Sequence, residues 1–276
     1  PVYKVIPPGI DTRKFYPYYH NMIAEIEKKE KQIYAHASVL QELDRFFLKP
    51  DKPLVLTLCR PEKRKNISGL IKAYGKSLEL QAMANLAIFA GLRKNITEKE
   101  ENERDVLTEM LLLMDRFDLY GKMAIPKKHD FEYEVPELYR IAAEKKGVFV
   151  NAALTEPFGL TLLEAASCGL PIVATDDGGP RDIISNCRNG IIVDPENSDE
   201  IAGALKKIII DGSLWEKYSK NGIENTRKYY TWKAHAEEYI KLLKRNYGID
   251  PADYLEKGRE GTKSTGKRLS SIKHLI

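Results

Sequence analysis

From residue 54 to residue 211 the sequence alternates short, unbroken apolar runs with longer stretches of helical period. The apolar runs are LVLTL at 54–58, LAIFA at 86–90, MAI at 123–125, VFVN at 148–151, IVAT at 172–175 and IIV at 191–193. Continuously apolar strands separated by helices are typical of a parallel sheet that is covered on both faces. The pattern predicts an α/β fold, and such a sheet binds ligands beyond the carboxyl ends of its strands.

The regions on either side of this alternation have a different character. Residues 18–49 form a charged stretch that we predict to be helical up to Lys49 and Pro50. Beyond Asp211, two further stretches at 213–230 and 231–246 have helical period. Residues 248–276 are polar and rich in glycine and serine, which favours a tail or a linker.

Composition excludes several classes of protein. Charged residues make up 30% and hydrophobic residues 43% of the 276 residues, which is the balance of a globular protein. No apolar run is long enough for a membrane span, and a net charge of +4 does not favour a nucleic acid or a membrane as partner. The chain has no initial methionine, so we expect it to be a piece of a longer protein.

Cysteine and histidine usage points to a reducing environment and to no metal site. The three cysteines form no C-x-x-C pair and leave an odd thiol under any pairing, so we expect no disulfide framework and favour the cytoplasm over an oxidising compartment. The five histidines are scattered singly, and no zinc-ligand spacing can be built from them.

The loop that follows the first predicted strand is strongly basic. Its sequence, Cys59 to Asn66, reads CRPEKRKN and holds four cations just before a helix. Backbone amides and the helix dipole favour an anion at such a position, so a pyrophosphate would suit it. A solvated basic turn is an equally good interpretation of the pattern alone.

A second candidate, TEPFGLTLLE at 155–164, follows the strand VFVN. Gly159 permits a close approach of the backbone, and we predict a helix that begins near Leu160. Glu164 then lies one turn into that helix, where we expect it to stay ionised and to accept bonds from two neighbouring hydroxyls. Glu156 lies in the loop, so two carboxylates flank one anion site. The spacing by itself fits ordinary surface glutamates as well.

Two other glycine-containing segments need an interpretation. The segment DDGGP at 176–180 follows a strand, and we interpret it as a wall of the site, although a purely structural connection is as good an explanation. The pattern of Gly69 followed by Gly75, Lys76 and Ser77 resembles a phosphate-binding loop. It has five intervening residues instead of four and lies inside a predicted helix, so we reject it.

Together these segments resemble a known family. RPEKRKN, EPFGLTLLEA and GLPIVATDDGGP, in this order and spacing, are similar to the nucleotide-sugar-binding C-terminal half of retaining GT-B glycosyltransferases of family 4. GLRKNI, LLLMDRFDLYGKMAIPKKHD and GIIVDP resemble sucrose-phosphate synthases within that group, and sucrose synthases slightly less. The resemblance covers about residues 2–13 and 53–247.

The resemblance implies a division of the chain. Residues 1–50 would be an interdomain hinge with a charged helical insert, and residues 51–230 a Rossmann-like nucleotide-sugar-binding domain with helices on both faces of its parallel sheet. Residues 231–247 would be a C-terminal helix that returns toward an N-terminal domain, which this sequence does not contain. Residues 248–276 would be the polar tail.

The resemblance also implies roles for individual residues. Arg60 and Lys65 match the basic pair that binds the donor diphosphate and neutralises it as leaving group, and Glu156 matches the acidic residue at the donor sugar. Glu164 matches the carboxylate that holds the ribose hydroxyls, and residues 125–128 match the edge against which the base rests. The implied substrate-binding residues are Glu164, Phe158, Gly159, Leu160, Thr161, Pro126, Lys127 and Gly91.

The implied reaction is the transfer of glucose from UDP-glucose to fructose 6-phosphate with retention of configuration. Relatives need no cofactor and no metal for catalysis, although magnesium can stimulate. Because most acceptor contacts belong to the absent N-terminal domain, we expect this chain to bind the nucleotide sugar and to turn nothing over alone. The alternatives are sucrose synthase, mannosylfructose-phosphate synthase, and a non-catalytic nucleotide-sugar-binding module.

Overall fold

The computed structural model describes residues 5–20 and 26–247, and within them the predicted strands form one parallel sheet. The order in the sheet is β3-β2-β1-β4-β5-β6. The strands are β1 (Leu54–Cys59), β2 (Asn85–Ala90), β3 (Met123–Ala124), β4 (Val148–Asn151), β5 (Ile172–Thr175) and β6 (Gly190–Val193). The predicted α/β class is confirmed.

Helices connect successive strands, and further helices precede β1 or follow β6. They are α1 (Ile26–Asp44), α2 (Ile67–Lys76), α3 (Leu78–Met83), α4 (Glu101–Arg116), α5 (Glu134–Glu144), α6 (Leu160–Ser167), α7 (Gly179–Cys187), α8 (Ser198–Ile210), α9 (Gly212–Tyr229) and α10 (Trp232–Tyr247). Gly75 and Lys76 lie in α2, as expected for the rejected phosphate loop. None of the helices in the described ranges is long and apolar enough to cross a membrane.

The sheet has a separate hydrophobic core on each face. Alternate side chains of one strand enter opposite cores, as the pleat requires: Val55 joins one core, and Leu54 and Leu56 join the other. Buried residues of α2, α3, α4 and α8 complete the first core. Buried residues of α1, α5, α6 and α7 complete the second. Helices therefore bury both faces of the sheet, which explains why the strands are almost continuously apolar.

The strand order creates a switch point between β1 and β4. Val55 of β1 pairs with Leu86 of β2 on one side and with Val148 of β4 on the other. The chain leaves β1 toward α2 in the first core and leaves β4 toward α6 in the second. The loops that follow these two strands therefore diverge at the carboxyl edge and leave a crevice between them.

Helix α1 is shorter than predicted. It ends at Asp44, and the chain turns where the Phe46 amide donates to the Leu43 carbonyl (2.9 Å). The prediction of helix as far as Lys49 was wrong, because the turn places Phe47 in the second core. Residues 21–25 of the predicted stretch lie outside the described residues.

A buried cluster of charges joins α1 to α5. The carboxylate of Glu137 accepts from Arg140 (2.6 Å) and lies 3.0 Å from Nδ1 of His36 on α1. Burial raises the pKa of the Glu137 carboxyl, but the bonds from His36 and Arg140 outweigh burial and hold it below its usual value. The charged insert is therefore tied to the sheet domain by ionised groups.

The chain divides into two compact units, residues 10–231 and residues 1–9 with 232–276. The first unit contains the sheet and helices α1 to α9. In the second unit, Nδ1 of His235 on α10 donates to the Pro7 carbonyl (2.8 Å). The four-part division implied by the resemblance stays a prediction, and its tail at 248–276 lies outside the described residues.

We predict that Gly190→Ala destabilises the protein by about 2–4 kcal/mol. A β-carbon at Gly190 would overlap the backbone carbonyl oxygen of Ile172, the residue that it pairs with in β5. Gly203→Ala is the matched control, because nothing lies within 4 Å of its added β-carbon in α8. Gly203→Ala should stabilise the protein by up to about 1 kcal/mol, since alanine is the better helix former.

Urea unfolding of both variants measures the two free energies. Equal free energies of unfolding for the two variants would contradict the close packing of β5 against β6.

Candidate functional site

Two loops meet at the crevice between β1 and β4. After β1, Lys63–Lys65 form one 3-10 turn, and Asn66 adopts a left-handed conformation (φ 50°) that leads directly into α2. After β4, the amide of Leu154 donates to the carbonyl of Arg64 (2.8 Å). The Arg64 guanidinium in turn lies 3.4 Å from the Thr155 carbonyl. The two candidate loops of the sequence analysis are thus hydrogen-bonded to each other.

An ion pair between Lys65 and Glu156 lies where the loops join. The Lys65 ammonium donates to Oε2 of Glu156 (2.5 Å), and the two side chains are only 13% and 11% exposed. Asn151, the last residue of β4, donates to the same oxygen (3.0 Å), and the Gly159 amide donates to Oε1 (3.3 Å). Burial opposes ionisation of Glu156, but the bonds from Lys65 and Asn151 hold the pKa of this carboxyl below its usual value.

Arg60 differs from Lys65 in its surroundings. Its side chain is 80% exposed, and its guanidinium lies 3.5 Å from Glu62 across a solvent-facing contact. Such a contact contributes little to stability. The sequence suggested equivalent roles for the two cations. In the structure Lys65 is enclosed in its pair with Glu156, whereas the Arg60 side chain is exposed and its contact with Glu62 faces solvent.

Helix α6 presents its N-terminus to the same crevice. Gly159 precedes it with φ 78°, a conformation that glycine adopts at little cost, and its carbonyl accepts from the Leu162 amide (3.0 Å). The amides of Leu160 and Thr161 belong to the first turn, which has no intrahelical acceptors. Phe158 and Leu160 are exposed. The predicted start of this helix is confirmed.

Glu164 lies one turn into α6 and has a neutral partner. The hydroxyl of Tyr139 on α5 donates to its Oε2 (3.1 Å). Burial raises the pKa of the Glu164 carboxyl to about 7, opposed by the Tyr139 bond and by the positive charge of Lys14. Both the protonated and the ionised form are therefore populated near pH 7, so the carboxylate is not held fully ionised as we expected. Its burial against α5 outweighs the helix dipole.

The DDGGP segment packs against the Glu156 loop. The Glu156 amide donates to Oδ2 of Asp177 (3.2 Å), and the Gly179 amide donates to the Glu156 carbonyl (3.1 Å). A β-carbon at Gly178, where φ is 61°, would lie 2.6 Å from the Glu156 carbonyl oxygen. The paired glycines thus allow two backbones to touch, as a wall of the site requires.

Gly91 and the segment around Pro126 are brought together by a buried arginine. The Arg93 guanidinium donates to the carbonyls of Ile125 (2.7 Å) and Pro126 (3.0 Å), and the Arg93 amide donates to the carbonyl of Lys127 (2.9 Å). The Gly91 amide donates to the Cys59 carbonyl at the end of β1 (3.1 Å). The loops after β1, β2 and β3 therefore form one connected edge.

Sequence reasoning assigned no role to three residues that shape this site: Asn151, Tyr139 and Arg93. Asn151 carried a signal, since it is the polar end of an otherwise apolar strand. Arg93 lies within the quoted segment GLRKNI but had no partner that the sequence could identify. Tyr139 gave no signal, because its partner Glu164 is 25 residues away on another helix.

Residues 5–20 and 26–247 contain no group of three or more His, Cys, Asp or Glu residues arranged to hold a metal ion.

The fold and the site define a doubly wound α/β domain with basic and amide-bearing loops at its switch point. A family model described as "Glycosyl transferases group 1" matches residues 41–228, which is more than half of the chain. The chain belongs to this family.

Relatives of known name are similar over most of this chain. It is 44% identical over 240 residues to a probable sucrose-phosphate synthase of Beta vulgaris, a match that covers 87% of this chain and 23% of the relative. It is 47% identical over 199 residues to a sucrose-phosphate synthase of Zea mays, covering 72% of this chain and 18% of the relative. The chain thus spans less than a quarter of the length of either relative.

Solved structures share the fold. A sucrose-phosphate synthase from Thermosynechococcus elongatus superposes with a TM-score of 0.67 and 25% identity, covering 89% of this chain and 53% of that protein. Anabaena HepE, solved in complex with UDP-glucose, superposes with a TM-score of 0.66 and 18% identity over 88% of this chain and 57% of that protein. The second likeness concerns the fold alone.

We predict that Glu164→Gln stabilises the ligand-free protein at pH 8 by about 1–3 kcal/mol. The folded carboxyl has a pKa of about 7, above its value in the unfolded chain. Its favourable contribution is complete at acidic pH and is lost as the pH rises through 7, because the buried group then becomes charged. Glutamine carries no charge at either pH, so its advantage should shrink to below about 1 kcal/mol at pH 5.

Urea unfolding at pH 5 and pH 8 checks this stabilisation. Glu109→Gln, in an exposed pair with Lys72 on α2, is the control and should change little at either pH. A Glu164→Gln protein that is no more stable than the parent at pH 8 would show that the carboxyl does not carry a raised pKa.

Proposed function

We propose that this chain is the donor-binding C-terminal part of a retaining GT-B glycosyltransferase of family 4 of the sucrose-phosphate synthase type. The complete protein would transfer glucose from UDP-glucose to fructose 6-phosphate. The observation that carries the proposal is the Lys65–Glu156 ion pair, which joins the basic loop after β1 to the loop that precedes α6. The names of the relatives with 44% and 47% identity support this assignment.

The diphosphate would bind between Arg60, Lys65 and the first amides of α6. Arg60 is open to an incoming anion, and the helix N-terminus adds unpaired amides and a positive dipole. Lys65 would divide its charge between Glu156 and the phosphates, because its ammonium already donates to that carboxylate. Charge that develops on the leaving diphosphate would then be met by protein cations, and we propose that the reaction needs no metal ion.

The nucleoside would lie beside Glu164 and along the edge formed by Ile125, Pro126 and Lys127. A carboxylate can accept from two neighbouring hydroxyls, as the ribose requires. Arg93 fixes this edge through three hydrogen bonds to its carbonyls. The edge would therefore present a rigid backbone to the base.

The donor sugar would lie beside Glu156 and the backbone of Phe158 and Gly159. In the ligand-free protein, both oxygens of Glu156 accept hydrogen bonds from protein groups. Glu156 would thus act on the sugar as a fixed negative charge near the anomeric carbon, or through a bond to a sugar hydroxyl that replaces one of these contacts.

The acceptor and the compartment complete the proposal. We propose that a sugar phosphate binds through an N-terminal domain of the complete protein, and that neither a nucleic acid nor a membrane is a partner. We place the protein in the cytoplasm. All three cysteines are free thiols, a state that a reducing compartment maintains.

We predict that Arg60→Ala weakens UDP binding about 10- to 150-fold and uridine binding much less, because it removes a charge-assisted bond to phosphate. Its folding stability should not change. Lys65→Ala should weaken UDP binding too, and it should also destabilise the protein by about 1–3 kcal/mol, because it leaves the Glu156 carboxylate unpaired. Calorimetric titration and urea unfolding measure the two effects.

Arg45→Ala is the matched control, since this exposed arginine lies in the turn after α1 and should affect neither ligand. Equal losses of UDP and uridine affinity in Arg60→Ala would mean that the loop does not hold phosphate. Tighter binding of guanosine or adenosine diphosphate than of UDP would favour another donor.

We predict that Glu164→Gln and Glu156→Gln fail in different ways in a protein of the full length of the relatives. The ribose contact of Glu164 is made in ground state and transition state alike, so its loss should chiefly raise KM. Glu156 faces positive charge that develops during departure of the diphosphate, so its loss should lower kcat more than donor affinity. Steady-state kinetics with varied UDP-glucose decide between these outcomes, and the opposite pattern would exchange the two roles.

A further inference from the structure

A completely buried tyrosine, Tyr139, contacts the carboxyl group of Glu164. Tyr139 has no exposed surface, and its ring contacts two other aromatic rings edge to face. The centroid distances are 6.0 Å to Phe15 and 5.5 Å to Phe149 of β4. Packing on both sides fixes the ring, so its hydroxyl has one place to donate, Oε2 of Glu164 at 3.1 Å.

We propose that Tyr139 is a positioning residue of the donor site, whose hydroxyl holds Oε2 of Glu164 and leaves Oε1 to accept from the two ribose hydroxyls. This inference rests on the proposed function and extends it to a residue that does not itself touch the ligand. The bond fixes the side-chain rotation of the carboxylate, and it favours the charged form that a hydroxyl-binding carboxylate needs.

The comparison with Glu156 explains why a neutral donor suits this position. Glu156 is paired with the Lys65 ammonium, and its charge is largely cancelled. A tyrosine hydroxyl orients Glu164 without cancelling its charge, so the carboxylate keeps its strength as an acceptor for a neutral sugar. The two glutamates of α6 and its preceding loop are thus held by different chemistry.

Two other titratable groups act on or near Glu164 in the described ranges, one on the segment before α1 and one at the C-terminal end of α6. Lys14, in the segment before α1, favours its ionised form, and the buried thiol of Cys168 lies at the other end of α6. Burial raises the pKa of Cys168 to about 12, so this thiol stays neutral near pH 7. Tyr139 and Lys14 therefore both oppose the effect of burial.

The position of Tyr139 is set by the helix that carries it. The neighbouring Arg140 is bonded to Glu137 (2.6 Å) and donates to the Lys14 carbonyl (3.1 Å). These buried bonds fix α5 against the segment that precedes α1. The hydroxyl of Tyr139 is therefore presented by a rigid element, which is what a positioning role requires.

The test is the pH dependence of UDP binding to the chain with Tyr139→Phe. Because the hydroxyl holds the pKa of Glu164 down, its loss should weaken UDP binding about 5-fold at pH 7 and less than about 2-fold at pH 8.5, where the carboxyl is ionised with or without the bond. The midpoint of the pH profile should move to higher pH. Affinity for 2′,3′-dideoxyuridine diphosphate, which lacks both ribose hydroxyls, should be unchanged at both pH values.

Tyr74→Phe is the matched control. Tyr74 is also completely buried, and its hydroxyl donates to the Ala84 carbonyl (2.8 Å) on the opposite face of the sheet. The Tyr74→Phe variant should lose about as much folding stability as Tyr139→Phe, and its UDP binding should keep the pH profile of the parent chain. If Tyr139→Phe unfolds more readily, its effect on binding is read in the Glu164→Gln background, where the substitution should weaken UDP binding less than 2-fold.

The outcomes separate the inference from the proposed function. If the parent chain binds UDP no more tightly than the dideoxy analogue, the ribose role of Glu164 fails. If the parent prefers UDP but Tyr139→Phe leaves the pH profile in place, the positioning role of Tyr139 is overturned. A loss of affinity that is equal for both ligands and independent of pH would assign Tyr139 to packing alone.

Discussion

The pairing of β1 with β2 on one side and β4 on the other is the constraint on which the site depends. It brings Lys65 and Glu156, 91 residues apart in the chain, into one ion pair at the carboxyl edge. Because the chain leaves β1 and β4 toward opposite faces, this edge is a switch point, where open α/β sheets bind ligands. The backbone bond from Leu154 to Arg64 then joins the two loops across the base of the crevice. The strand order thus creates the site, and local hydrogen bonds refine it.

Within the site, two carboxylates eight residues apart have opposite surroundings. Glu156 receives a cation, an amide side chain and a backbone amide, and these hold its pKa low against burial. Glu164 receives one neutral hydroxyl, and burial raises its pKa to about 7. Under the proposed function Glu164 holds the ribose hydroxyls, so stability at alkaline pH and nucleotide affinity should respond to Glu164 in opposite directions.

Much of this arrangement could be predicted from the sequence, because the strands are buried on both faces and are therefore mostly apolar. The loop after β1 and the start of α6 at Leu160 also followed from local chemistry, since Gly159 needs its left-handed conformation next to the first turn. The predicted C-terminal end of α1 was wrong, because packing of Phe47 into the second core ends the helix before Lys49. The roles of Tyr139 and Arg93 were not predictable, since each acts through a partner more than 20 residues away.

By itself, the sequence determined the α/β class, the places where the strands end, and the residue types that stand at those ends. These are local properties of apolar runs, glycines and charges. Only the tertiary structure decided which charged groups form ion pairs with each other. Arg60 and Lys65 look alike in the sequence, yet Lys65 is paired and enclosed whereas Arg60 is exposed. The ionisation of a carboxyl depends on its burial and on its neighbours in space, and the spacing of residues along the chain determines neither.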